Sequence, residues 1–399
     1  MITRSENNIL QERPYPDAPA LPTAAWHGQV AKVKKLIKEG ADVNQRGSGE
    51  DKVIPQAPLS LAIEKASTVL GGTALHAAVK AGATKAVEVL LANNACIDLH
   101  DRDGYAPLHE AANEPVIAEL LLDHGANPEI QNSHNHLQPL HMAARHGSLA
   151  VCRLLLSAGA DVTAVSKDLS TPLHEAGEAA QTEVIQLLVA HGASCLVEDK
   201  HHMTPLSTAL RKSFASAAPD AEDKLVESVT VLLSHDNSTR GKGQAWPELE
   251  EAALGGHAGV VQLLLNKGAA ASDAALTVAS GTGHLEVVKL LLRHRSSAKQ
   301  ALGEEPNALH MAARVGHAEV AELLLEQGAD VAATCTPPQN DRLWTGSAGQ
   351  GGLTALRIAL DHGHAATGEV ILKAAVKAGA DVCSNAPETI AMLHNSASK

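Results

Sequence analysis

An imidazole can move a proton near neutral pH or ligate a metal, and this chain of 399 residues carries 22 of them. Their positions sort them. His76, His109, His141, His174 and His310, with His27 more loosely, stand at or near expected helix starts. His124, His191, His235 and His294 stand in the expected last turns of other helices, where a partly positive ring complements the helix dipole. His100, His134, His136, His201 and His202 fall in loops that recur along the chain. A zinc site needs imidazoles converging at about 2.0–2.1 Å from the ion, and loops a whole repeat apart are too distant for most such pairs to share one. No metal is expected, and the loop histidines read as hydrogen-bonding, pH-sensitive contacts for a partner.

Other catalytic patterns are missing from the sequence. There is no Gly-x-x-x-x-Gly-Lys-Ser/Thr phosphate loop, no His-Glu-x-x-His and no Gly-x-Ser-x-Gly elbow. Gly281-Thr282-Gly283 occupies an expected turn between helices and follows no strand. The pairs Glu250-Glu251 and Glu304-Glu305 read as a solvated helix start and a loop, not as an opposed acid and base. Lys289, Arg293, His294 and Arg295 read as the wet face of a helix. Neither an enzyme nor a cofactor is therefore expected.

The element that must position these side chains is a repeat. The tetrapeptide Thr171-Pro172-Leu173-His174 recurs with its Leu at 75, 108, 140, 173 and 206, at gaps of 33, 32, 33 and 33 residues. Such a period belongs to small units that bury their apolar faces only by stacking. Thr is a good N-cap because its hydroxyl accepts from an orphan N–H, and Pro suits the first helical position because its φ is already helical. The small pair Ala143-Ala144 lets a second helix come close, and Val151, Leu154, Leu155 and Leu156 form that helix's apolar stripe. Gly40, Gly125, Gly159, Gly192, Gly268, Gly328 and Gly379 then end second helices, with Asn94 and Asp236 as substitutes and Arg295 as a departure.

Gly104-Tyr105-Ala106-Pro107-Leu108-His109-Glu110-Ala111-Ala112 and Leu323-Leu324-Leu325-Glu326-Gln327-Gly328-Ala329-Asp330 resemble the two halves of an ankyrin repeat. Related segments add markers at Leu21, Leu249, Leu276, Leu309 and Leu356, with only a half unit around Leu59. The resemblance implies an all-α fold with short hairpin finger loops, a solenoid of about ten repeats plus a partial one. It divides the chain into an N-terminal extension (1–20), an array (21–385) and a C-terminal tail (386–399). It also makes the Leu-His histidines framework residues that hydrogen-bond within and between repeats.

Insertions near 45–71, 211–224, 237–245, 333–352 and 363–375 break the period. In the ankyrin-like reading, 45–58, 237–245 and 333–352 extend fingers, whereas 211–224 and 363–375 lengthen turns between paired helices. The gap from Leu249 to Leu276 is only 27 residues, so the finger there should be nearly absent.

Composition bounds the partners. A net charge of −13 argues against nucleic acid, which would require a basic face. Five scattered cysteines without a Cys-x-x-Cys pair suit a reducing compartment. No apolar leader or run of about 18 apolar residues is present. A soluble, monomeric chain without membrane insertion is expected, cytoplasmic or nuclear, whose partner is a protein. Carried over by position, the family's recognition face falls on Arg102, Asp103, Tyr105, His134, His136, Lys167, Asp168, Ser170, Lys200, His201 and Met203 of the fingers. First helices add Trp26, Lys80, Asn113, Glu114, Arg145, His146, Glu178, Arg211 and Lys212. Trp344 in an inserted loop joins them, and Trp26, Tyr105, Arg145 and Trp344 carry most weight because interface energy concentrates in such residues. The expected role is a non-catalytic scaffold or adaptor. A second reading makes the array an effector delivered into another cell or a recruiter for a larger enzyme complex, and a third gives the loop histidines metal or catalytic work.

Overall fold

The computed structural model describes residues 20–44, 46, 72–212, 221–235, 246–294, 306–336 and 353–379. The half unit around Leu59, Trp344, the tail, and most of the insertions at 45–58, 237–245 and 333–352 lie outside them. The chain forms two compact units, Met1–Pro205 and Leu206–Lys399.

In the first unit, helices alternate as first and second members of pairs: α1 (Ala20–Trp26) and α2 (Val30–Lys38), α3 (Ala74–Lys80) and α4 (Thr84–Leu91). Next come α5 (Pro107–Glu110), tightened into a 3₁₀ turn over Ala111–Asn113, and α6 (Pro115–Asp123). Two further pairs are α7 (Pro139–His146) with α8 (Leu149–Ser157) and α9 (Pro172–Glu178) with α10 (Thr182–Ala190). First helices pack on first helices and second on second along the unit.

The second unit follows the same rule from α11 (Pro205–Lys212) and α12 (Ala221–His235). It continues through α13 (Pro247–Gly255), α14 (Ala258–Asn266), α15 (Asp273–Thr282), α16 (Leu285–His294), α17 (Ala308–Val315) and α18 (Ala318–Glu326). Strands β1 (Thr334–Cys335) and β2 (Leu353–Thr354) pair antiparallel at the base of the 333–352 insertion, with Thr334 opposite Thr354 and Cys335 opposite Leu353. Helices α19 (Ala355–Asp361) and α20 (Ala365–Ala378) close the described residues.

The sequence signals act locally as their chemistry requires. Thr171 Oγ1 accepts the His174 N–H at 3.4 Å while Pro172 fills the first helical position of α9. After α14, Gly268 has φ +102°, a conformation that a Cβ makes costly, and Asn94 substitutes after α4 with φ +59°. The marker residues Leu75, Leu108, Leu140 and Leu173 are fully buried together with Leu90, Leu121, Leu155 and Leu188 of second helices. Because aromatics make up only 2% of the chain, this core is built from Leu, Val and Ala, and the Ala pairs of first helices bring neighbouring backbones close.

One expected turn insertion is corrected. Residues 363–375 do not lengthen a turn: α19 and α20 are joined by 362–364, and α20 runs for 14 residues against 9 in α18. Its composition, AATGEVILKAAVKA, is rich in helix formers, so the extra residues extend the helix. Of the 211–224 insertion, 211–212 belong to α11 and 221–224 open the 15-residue α12, while 213–220 lie outside the described residues. Residues 267–272 alone connect α14 to α15, leaving no hairpin between them. No described helix is long and apolar enough to cross a membrane. Cys96, Cys152, Cys195 and Cys335 are free thiols.

Candidate functional site

The histidines at helix starts are buried in the framework. The Nε2–H of His76, His109, His141, His174 and His310 donates to the carbonyls of Tyr105, Leu137, Ser170, Met203 and Ala333 in the next loop, at 2.8–3.1 Å. Each Nδ1 accepts the N–H three residues earlier, from Thr73, Ala106, Gln138, Thr171 and Asn307. One nitrogen donates and the other accepts, so the ring must be neutral. Burial makes it so, pushing His76, His109 and His141 down to about 4 and lowering His174 and His310. His27 departs from the set, lying exposed just past the end of α1.

The last-turn histidines work by direct bonds. His124 and His191 donate through Nδ1 to the carbonyls of Leu120 and Leu187, both at 2.8 Å, adding a second hydrogen bond to acceptors that already take each histidine's own backbone N–H. His146 and His362 do the same to Met142 and Ile358 at 2.7 and 2.9 Å.

Four consecutive fingers of the first unit then form a ledge. Each hairpin is closed across its base by a backbone bond, Asp101 N–H to Tyr105, Asn132 to Leu137, Ser166 to Ser170, and Asp199 to Met203, at 2.7–2.9 Å. Neighbouring fingers are tied together by Ser133 N–H to Gly104 O, Lys167 to Asn135 and Lys200 to Asp168, at 2.8–3.0 Å. The side chains of Arg102, Asp103, His134, His136, Lys167, Asp168, Lys200, His201 and His202 are left exposed along it. At the tips stand Gly104, His136, Leu169 and His202, all with positive φ: +76°, +56°, +58° and +58°. Three tips therefore carry side chains in a conformation that disfavours them, and Leu169 is 50% exposed.

The other expected contact residues divide by what they touch. Tyr105 is half-buried, its ring edge-on to His109 with centroids 5.7 Å apart. Lys80 turns inward to Asp101 and Glu110, at 3.1 Å from each. Burial opposes its charge, but the two carboxylates outweigh that and raise its pKa. Arg145 is 53% exposed and forks between Glu175 and Glu178 at 3.6 and 3.3 Å. Lys200 pairs with Asp168, and His202 with Glu198 at 3.0 Å. His100 donates to Gln131 O at 2.8 Å and so belongs to the framework. Asn113 and Glu114 are exposed where the shortened first helix tightens, before Pro115 starts α6. Trp26 is half-buried at the end of α1, and His146 is exposed. Arg211 and Lys212 end α11 in the second unit, apart from the ledge in the chain, while Trp344 lies outside the described residues.

Among the described residues no cluster of three or more His, Cys, Asp or Glu side chains is arranged to hold a metal.

Two features escaped sequence reasoning. One is a second ladder at the start of second helices: His284 Nε2–H donates to Leu254 O at 3.1 Å, His364 to Arg314 O at 3.0 Å and the Gln181 amide to Arg145 O at 3.4 Å. Its signal was the dipeptide Gly-His at 283–284 and 363–364, although the same dipeptide at 256–257 sets its imidazole on Glu222 instead. The other is the concentration of lysine on α2.

Similarity to known proteins agrees with this architecture. A family model described as ankyrin repeats matches residues 21–132, 113–166, 140–239 and 249–335. The chain is 30% identical over 225 residues to the ankyrin repeat and KH domain-containing protein mask-1 of Caenorhabditis elegans, covering 53% of this chain and 8% of that relative. It is 42% identical over 94 residues to the mouse B-cell lymphoma 3 protein homolog, 23% of this chain and 21% of that one. With human NF-kappa-B inhibitor alpha it shares 31% over 146 residues, 35% of this chain and 46% of the relative. The chain thus spans less than half of each of these relatives.

Proposed function

The chain belongs to the ankyrin-repeat family, and from that premise we propose that it is a non-catalytic scaffold that binds a protein partner on the finger ledge and first-helix face of its first unit. One observation carries this reading: four consecutive fingers are locked to each other by main-chain bonds, while their side chains project into solvent. A surface fixed before binding avoids the cost of ordering loops on association, so more of the contact energy remains as affinity. The ledge mixes Arg102, Lys167 and Lys200 with Asp103 and Asp168, and adds exposed imidazoles that accept or donate. That is a polar, adaptable contact surface with Arg145, Tyr105 and Leu169 as its larger groups. By its printed name one relative inhibits NF-kappa-B, which suits an array that acts by holding another protein.

The test is affinity capture with the full chain and with an Arg102→Glu/Lys167→Glu/His201→Glu variant, all three being exposed side chains. Partner recovery should fall about tenfold or more, with an unchanged thermal melt. Identical partners in identical yield would count against this face.

A further inference from the structure

We infer that the groove between α2 and α4, on the second-helix side of the first unit, is a separate docking site for an extended peptide segment carrying acidic and aliphatic side chains. Helix α2, VAKVKKLIK, contains four lysines and no carboxylate, in a chain whose net charge is −13. With about 3.6 residues per turn, Lys32, Lys34, Lys35 and Lys38 occupy the arc opposite Val33, Leu36 and Ile37, and all four are exposed. Elsewhere in this unit α4 carries Glu88, α6 carries Glu119 and Asp123, and α10 carries Glu183, while α8 carries a single cation, Arg153. A wet face needs charge but not charge of one sign, and the dipole of α2 accounts at most for the lysines of its last turn, Lys35 and Lys38. Lys35 is also paired with Glu39 at 3.6 Å.

Lys34 and Lys38 differ because they rim a concavity. With Ile37 they form one wall, and Glu88, Val89 and Ala92 of α4 and its end form the other. Neither lysine makes an ion pair with a described carboxylate, Glu88 across the groove included. Asn93, also in the lining, donates its amide to Val89 O at 2.7 Å and so stiffens the far wall. The floor is therefore aliphatic, one rim is doubly cationic, and the opposite rim carries a single carboxylate. Such a surface fits a segment that places Leu- or Ile-like side chains on Ile37, Val89 and Ala92 and carboxylates toward Lys34 and Lys38, with Glu88 setting its direction. An anionic bilayer fits less well, because Val33 is buried inside the protein, Ile37 sits in the groove, and the lysines fan around the helix instead of lying in one plane.

The experiment is selection of a random dodecamer display library on the full chain, with counter-selection on a Lys34→Glu/Lys38→Glu variant. Recovered peptides, synthesised with a fluorescein label, are then measured by anisotropy. Enrichment of acidic-aliphatic sequences is expected, with affinity reduced about tenfold by Lys34→Glu/Lys38→Glu and only about twofold by Lys32→Glu/Lys35→Glu, which changes the charge of the same helix equally outside the groove. Three results overturn the inference: no peptide that depends on Lys34 and Lys38, equal losses in both variants, or tight binding of vesicles with about 30% phosphatidylserine that all four lysines share. The finger ledge contributes to none of these readouts, so this site and the ledge stand or fall separately.

Discussion

The Nε2 of His141 lies 3.1 Å from the carbonyl oxygen of Ser170, binding the start of α7 to the next finger. The bond requires a neutral ring whose Nδ1 accepts from Gln138, and it links pH to stability. The ordinary value of 6.5 is depressed to about 4 by burial in His76, His109 and His141. Between those values the unfolded chain binds more protons than the folded one, so stability rises with pH. It is fully present above about 6.5 and lost as pH falls toward 4. Each ring is worth on the order of 3 kcal/mol across that window. Denaturant midpoints should be flat from pH 8 to 7 and drop steeply below 6, and a midpoint unchanged down to pH 4.5 would refute the linkage.

Lys80 is a structural clamp more than a contact residue. Asp101, 1% exposed at its side chain, depends on Lys80 and on the Tyr105 N–H at 2.9 Å. Lys80→Ala leaves two carboxylates facing each other without a cation and should cost about 3 kcal/mol, measured by equilibrium unfolding. A loss below about 0.5 kcal/mol would show the clamp to be solvated like a surface pair.

Leu169→Gly should stabilise the protein by about 0.5–1 kcal/mol. Its φ of +58° and its 50% exposure mean that strain is relieved and little packing is lost. If partner affinity falls in the same variant, the side chain is kept at the finger tip for contact. Destabilisation would mean that Leu169 packs on its neighbours.

In the second unit, Glu222 of α12 accepts the Gly259 N–H at 2.9 Å and faces His257 Nδ1 at 3.0 Å. Burial is the largest influence and raises its pKa, but the hydrogen bond and charge of His257 together with the backbone N–H groups of Gly259 and Val260 outweigh it, and the net shift is downward. This contribution is therefore present above the usual carboxylate range and lost as pH falls through it. Glu222→Ala should cost about 1–2 kcal/mol and speed hydrogen exchange at the start of α14. Unchanged exchange at 258–261 would show that the contact does not hold that helix.

Much of this fold was legible because its signals are local. The φ values of Gly268 and Asn94 follow from stereochemistry at a single residue, and the Leu-His start of α9 from three adjacent side chains. What sequence concealed depends on distant partners. Lys80 meets Asp101 and Glu110 from two other segments, and His364 meets Arg314 O across 50 positions. Position in the repeat therefore identified Lys80 as surface, while the length of its side chain let it reach inward. The long α20 was mistaken for a turn because period counting locates extra residues without saying which element absorbs them.

If the first-unit ledge is the partner face, hydrogen exchange of the full chain with and without its captured partner will locate the contact there. Exchange should slow at 102–105, 133–137, 166–170 and 199–203, with 258–266 and 285–294 unchanged. Protection confined to the second unit, or to second helices of the first, would contradict it.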